Sequence, residues 1–390
     1  MSRIVFLSRF FGNMSANAIC AENIAKELKK MGHKVDIISY EESPEKAEGK
    51  GIYIITKPAV SEKSILGRAG SIASIVLGSM SSAVDKDLTA LYYDKLCQIH
   101  NAEPVDVVVA MHFPFESIQA LAQFKIKYPK VKAVIYELDS AVDGIKLSKM
   151  PLFFNRAAEK WLSQKYAICD TVVIMKSHET YWKSKFAKKF GDKLRLADIP
   201  VLTERIQHKR EEKAQVTMLY SGLLEKKYRS PSYMLAVLKE LKKGLEFEIS
   251  FYSKGDCEEE IKEAAKEIKG IRQCGYVSVA ELERATESAD ILVNIGNAVS
   301  KSVPSKMITY MSYGKPIIHF SSQEDDICRK YMERYPLSLI LDGSEQSETA
   351  CGKIADFIEK TKGKRAEFDK IREMFAQSDP KYSANIICEK

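Results

Sequence analysis

Residues 300–320 read SKSVPSKMITYMSYGKPIIHF, from Ser300 to Phe320, and the interpretation of the chain turns on them. Pro304 suits a first helical turn, where its missing N–H is not needed, and Ser302 and Ser305 are candidate caps beside it. Met307, Ile308, Tyr310, Met311 and Tyr313 then place apolar groups on most sides of a short helix, which predicts burial. Gly314 is the stop signal, and Lys315-Pro316 leads into a strand, Ile317 to Phe320. A helix start carrying Ser305 and Lys306 offers free N–H groups, a positive dipole end and an ammonium to an anion. An ordinary amphipathic helix between two strands fits the same spacing.

The rest of the chain bounds what that stretch can serve. At 390 residues it is long enough for two domains with separate cores. With 45% apolar residues it is not globally disordered, and no run reaches the apolar length of a membrane span. The opening MSRIVFLSRFFG reads as a strand and loop rather than a secretion signal. Eight scattered cysteines without a CxxC pair point to a reducing cytoplasm and away from structural zinc. The net charge of +7 permits an anionic partner without naming one.

Buried-strand runs alternate with helical periods along the chain. Arg3 to Ser8, Lys34 to Ser39, Asp106 to Met111 and Ala133 to Leu138 are the strands expected in the first half. Ile19, Ile24, Ala25 and Leu28 mark a helix between the first two, a doubly wound unit whose ligands lie beyond the strand ends. His112 follows one strand, where a structural and a functional role are both open. Asp139 follows another, as a base or as a helix N-cap. The small, apolar SILGRAGSIASIVLGSM reads as a flanking helix or as one dipping into a membrane surface. Lys183, Lys185, Lys188, Lys189, Lys193 and Arg195 cluster around Trp182 and Phe186. That cluster fits a solvated helix face or attraction to anionic lipid headgroups, and no nucleic-acid motif accompanies it. The charged, aperiodic TERIQHKREEKAQ (203–215) is a natural linker. Beyond it Val216 to Tyr220 is a strand, and Gly222 is expected to let the backbone turn sharply near a ligand, with Lys226, Lys227 and Arg229 following. Asn294 ends a later strand and is expected to aim its amide at the same pocket. The run Arg365 to Phe375 is expected to be the last long helix.

PSKMITYMSYGKPII resembles the PSKxFEYMxxGKPII stretch of GT-B glycosyltransferases, in particular family 4 and its relatives. The likeness covers nearly the whole chain and is tightest from Tyr220 to Phe320. It implies an α/β fold of two Rossmann-like doubly wound domains facing a cleft. Residues 1–202 would be the acceptor-side domain, 203–375 the donor domain, and 376–390 a tail returning to the first. It further implies that Ser305, Lys306 and Thr309 lie at the donor, with Gly222, Lys226, Lys227 and Arg229 neutralising its diphosphate. Ile271 to Val277, with Tyr276, resembles the turn that lies against the nucleobase. Gly12, Asn13, Ser15 and Asn17 occupy the loop that approaches donor or acceptor, and His112 and Asp139 match the candidate catalytic positions. The family's paired glutamates fall on Lys301 and Thr309 here.

The function these features imply is transfer of a sugar from a nucleotide-sugar donor, preferably UDP-linked, to a glycan or lipid-linked acceptor in bacterial surface polysaccharide synthesis. Retention of configuration follows from the resemblance. Helix dipole and lysines can stabilise the leaving diphosphate without a metal, and no cofactor is expected. A cytoplasmic location, with peripheral contact at the inner face of a membrane, is the matching expectation. Two alternatives keep the fold: a non-catalytic partner subunit, motivated by Lys301 and Thr309, and a nucleotide-sugar epimerase.

Overall fold

The computed structural model describes residues 1–9, 16–40, 51–56, 80, 84–112, 114–139, 151–205, 215–298 and 303–389. The chain divides into two compact units, Met1–Val201 with Gln377–Lys390, and Leu202–Ala376.

The first unit is built on β1 (Arg3–Arg9), β2 (Lys34–Tyr40), β3 (Ile52–Ile55), β4 (Val107–Met111), β5 (Lys132–Glu137), β6 (Thr171–Met175) and β7 (Leu194–Ala197). All pair in parallel, in the order β3-β2-β1-β4-β5-β6-β7. Runs such as Ile4–Leu7 and Val107–Met111 are buried along their whole length, as expected of parallel strands covered on both faces. The order reverses between β1 and β4, so their carboxyl ends border the crevice where doubly wound sheets take ligands.

The second unit repeats the plan with β8 (Val216–Leu224), β9 (Phe247–Gly255), β10 (Ile271–Gln273), β11 (Ile291–Ile295), β12 (Ile317–Ser321) and β13 (Ser338–Asp342). Their order is β10-β9-β8-β11-β12-β13, with the reversal between β8 and β11. The strand β8 runs four residues past the expected end at Tyr220 and stays paired with β9, Gly222 opposite Ser253 and Leu224 opposite Gly255. Gly222 is therefore not a sharp turn. It sits inside the strand at φ +149°, a conformation side chains rarely adopt.

Two further expectations are corrected. The helix of the 365–375 run is short, Phe368–Met374, and lies within the second unit. A separate helix, Pro380–Cys388, is the one in the first unit. It packs on the helix Ala16–Lys30, and its Ser383 hydroxyl bonds Tyr136 at 2.7 Å. Trp182 and Phe186 do not stud a charged surface. They are 1% and 4% exposed, packed around Tyr166 with ring centroids 5.8 and 5.0 Å away. The helix Glu179–Phe190 is amphipathic, so its aromatics enter the core while its lysines stay outside. Much of that charge is already engaged. Lys183 pairs with Glu179, Lys185 with Glu159 and Arg195 with Glu389. Lys193 caps the helix Pro151–Ile168 and the chain beyond it by donating to the carbonyls of Tyr166, Ala167 and Cys169 at 3.0, 3.1 and 2.7 Å. Among the described residues no helix is long and apolar enough to cross a membrane.

Candidate functional site

The second unit gathers most of the predicted donor residues at the carboxyl ends of β8 and β11. The helix Ser305–Met311 is anchored there by Tyr310, which is buried. Its hydroxyl accepts the Ser221 N–H at 2.7 Å and lies 2.9 Å from Ser221 Oγ, fastening the helix to the end of β8. The N-cap position is Pro304, and no side chain caps the helix. Ser305 is its first residue, and Ser302 lies outside the described residues. Lys306 is half-buried and has no hydrogen-bond or ion-pair partner among the described residues. Burial, then the nearby Arg205 charge, holds its ammonium below the ordinary lysine value against the opposing pull of Glu283. Thr309 turns its hydroxyl back onto its own helix, to the Ser305 carbonyl at 3.1 Å.

Arg229 lies beside Gly222: a Cβ built on the glycine would sit 3.6 Å from its Nη1 and 3.4 Å from the Tyr220 hydroxyl. The guanidinium donates from Nε and Nη2 to Asn297 Oδ1, at 3.1 and 2.6 Å. Lys226 and Lys227 are exposed on the same loop. The backbone N–H of Lys226 bonds Asp256 at 2.8 Å, and the Lys227 ammonium lies 5.3 Å from the Tyr228 ring centre. Tyr276 is 62% exposed beyond β10, with the Lys254 ammonium 4.3 Å from its ring centre, an open aromatic face at a strand end.

Asn294 departs from its expected role. It is opposite His319 in the β11–β12 register, so both side chains leave the sheet on one face, and its amide donates to His319 Nδ1 at 2.8 Å. The side chain is buried and serves the interior rather than a pocket. His319 in turn donates from Nε2 to Asp326 at 3.0 Å, and Asp326 also takes the Cys328 N–H at 2.9 Å. Burial pushes the Asp326 carboxyl up, but the His319 and Cys328 bonds outweigh it and leave it below the usual carboxylate range.

His319, Asp326 and Cys328 bring three possible metal ligands within 4.8 Å of one another. Both ring nitrogens of His319 are committed, and burial with the Asp326 charge keeps the Cys328 thiol protonated, well above its ordinary value. The set is a hydrogen-bonded relay supporting the loop after β11, where a metal would need a thiolate and a freed imidazole.

The first unit brings three other predicted residues together. Asn17 donates to the His112 carbonyl at 2.7 Å, joining the start of the helix Ala16–Lys30 to the end of β4. His112 Nδ1 lies 2.9 Å from the Asp139 carbonyl oxygen, which fixes the Nδ1–H tautomer and makes Nε2 an acceptor. The Asp139 residue is exposed, and its carbonyl, not its carboxylate, makes this bond. Gly12, Asn13, Ser15 and Lys301 lie outside the described residues, as does the 64–79 run.

Burial pushes His112 down to about 4, against the Asp139 bond and with help from His178. The fold thus favours the neutral ring: its stabilising share is complete above the ordinary value near pH 6.5 and is lost as pH falls toward 4, up to about 3 kcal/mol. Glu137 acts in the opposite sense. Burial raises it to about 7 despite the Tyr166 hydroxyl bond, so its share is complete below the ordinary carboxylate range and is lost as pH rises through 7. His112→Asn is expected to flatten the acid limb of a urea-unfolding profile, and Glu137→Gln the alkaline limb. Unchanged limbs in both variants would contradict these environments.

Among the residues that the structure places around these strand ends, sequence reading misses Asn297, Tyr310 as an anchor, and the His319–Asp326 relay. A Gly-Asn pair immediately after β11 is the signal that points to Asn297, since strand-end glycines permit close backbone approach.

Residues 215–337 match the family model described as Glycosyl transferases group 1. No curated protein is matched at a significant level. Among solved structures the chain is similar to WaaG, a glycosyltransferase involved in lipopolysaccharide biosynthesis, at 13% identity and TM-score 0.59, over 99% of this chain and 100% of that one. It is similar to the apo form of the lipopolysaccharide outer core galactosyltransferase WaaB at 12% identity and TM-score 0.56, over 99% of both chains. The UDP-GlcNAc 2-epimerase of Methanocaldococcus jannaschii gives 12% identity and TM-score 0.57, again over 99% of both. Such identities establish a common fold, and that fold carries both transferases and an epimerase. The chain therefore has the GT-B-type α/β fold, and its segment 215–337 matches the model of the Glycosyl transferases group 1.

Proposed function

We propose that this protein is a nucleotide-sugar-dependent glycosyltransferase whose donor diphosphate docks at the carboxyl ends of β8 and β11. The observation that carries the reading is the charge there: among the described residues Arg229 is held only by neutral oxygens and Lys306 makes no hydrogen bond or ion pair, beside the backbone of Gly222. Glycosyl transfer leaves negative charge on the departing nucleoside diphosphate, and fixed cations lower that cost without reorganising. Tyr276 offers a ring for the base, Lys226 and Lys227 supply further positive charge, and retention with a UDP-linked donor is the preferred assignment from the family likeness. With charge supplied by side chains, the transfer is proposed to be metal-independent. The acceptor is proposed to be a glycan or lipid-linked glycan, served by the His112 and Asp139 region of the first unit. Contact with a membrane surface has weaker support, because so much of the 183–195 charge is internally paired.

Thermal-shift screening against UDP, GDP, ADP and their sugars tests this reading. A ligand present at a hundred times its Kd adds about 2.7 kcal/mol, a rise of about 5 °C or more in melting temperature. No response to any nucleotide would sink the donor site. A second reading, a non-catalytic GT-B partner, draws on Thr309, whose hydroxyl is spent on its own helix. Release of nucleoside diphosphate from a nucleotide sugar by the isolated chain would exclude it.

A further inference from the structure

The arginines of the second unit are mostly neutralised. Arg205 pairs with Glu283, Arg272 with Glu248, Arg329 with Asp342, Arg365 with Glu287 and Arg372 with Asp369. Arg229, like Arg284 and Arg334, makes no ion pair among the described residues, and it is the one of the three beside Gly222. Its acceptors are the Asn297 amide oxygen and the Leu223 carbonyl at 3.4 Å, and no carboxylate reaches it among the described residues. An amide oxygen orients a guanidinium as a carboxylate would, yet leaves its unit charge in place for another ligand.

Asn297 is itself held from several sides. The preceding Gly296 N–H bonds the Phe320 carbonyl at 2.9 Å, and the following Ala298 N–H bonds the Tyr228 carbonyl at 2.8 Å. Gln323 donates to the Asn297 carbonyl at 3.3 Å. These bonds tie the loop after β11 to the loop after β12 and to the residue before Arg229. A rigid support of this kind keeps a charged group within the small tolerance that recognition of an anion requires.

We propose that Asn297 is a positioning residue for the donor diphosphate, holding the Arg229 guanidinium in place with a neutral oxygen so that its charge remains available. This rests on the donor site proposed above, and the experiment separates the two. Titration calorimetry is run with UDP and with inorganic pyrophosphate on the full chain, as wild type, Arg229→Ala, Asn297→Asp and Asn297→Ser. The aspartate keeps the shape but turns the clamp into an ion pair. Affinity for both probes should fall about ten-fold or more, while the melting temperature stays level or rises. The serine removes the amide without adding charge and should weaken binding less than the aspartate does.

If Arg229→Ala loses affinity while Asn297→Asp binds like wild type, the donor site stands and the role of Asn297 is refuted. Equal losses in the aspartate and serine variants, with lowered melting temperatures in both, would show loop damage and likewise overturn the proposal. Wild type that binds neither probe would overturn the donor site together with the inference.

Discussion

Lys315→Ala is expected to lower stability by about 3 kcal/mol in urea unfolding, because three carbonyls, two of them in buried contacts, lose their donor at once. Lys315 is 2% exposed, and its ammonium donates to the carbonyls of Thr286 at 2.9 Å, Ala289 at 2.6 Å and Glu287. Those groups end the helix Val279–Ser288, where the last carbonyls have no partner inside the helix and the dipole is negative. The lysine of the GKP stretch is thus a cap that docks one helix onto the amino end of β12, not a ligand group. Lys315→Met keeps the bulk and should be nearly as damaging as alanine. A methionine variant as stable as wild type would show that packing, not capping, is what the side chain supplies.

Gly296→Ala is expected to cost about 3 kcal/mol and to lower donor affinity, since overpacking in a fixed interior forces neighbours out of place. The added methyl would lie 1.8 Å from the Asp326 carboxylate oxygen. Asp326 is buried and short, and it is pinned by His319 at 3.0 Å and by the Cys328 N–H, so it has little room to retreat. The glycine exists at this position because the relay must pass directly under the loop that bears Asn297. Gly296→Ala made together with Asp326→Ala tests that clash: the aspartate change removes the obstacle, so the pair should cost less than additivity requires. Strictly additive losses would contradict the proposed clash.

The fold was legible because buried parallel strands advertise themselves as unbroken apolar runs, and IVFL, VVVAM and ILVNI each mark one. Strand ends were less readable. β8 and β9 continue through Gly222, Lys254 and Gly255, residues with turn-like local preferences whose pairing is decided by the partner strand. The helix Pro380–Cys388 carried a usable signal, with Asp379 capping Lys381 N–H and Pro380 in the first turn, but its brevity hid it beside the charged run before it. For the proposed site, spacing and resemblance pointed to Gly222, Arg229, Ser305 and Lys306, and the structure sets them near the carboxyl ends of β8 and β11. Asn294 and Asn297 could not be told apart: they differ by three positions, and only the cross-strand His319 shows which one turns inward.

The most direct measurement is a crystal structure of the chain with UDP bound. The pyrophosphate is expected beside Gly222, with its oxygens on the Arg229 guanidinium and within reach of the Lys306 ammonium, and Asn297 still gripping the arginine. UDP bound elsewhere, with Arg229 and Lys306 both untouched, would contradict that expectation.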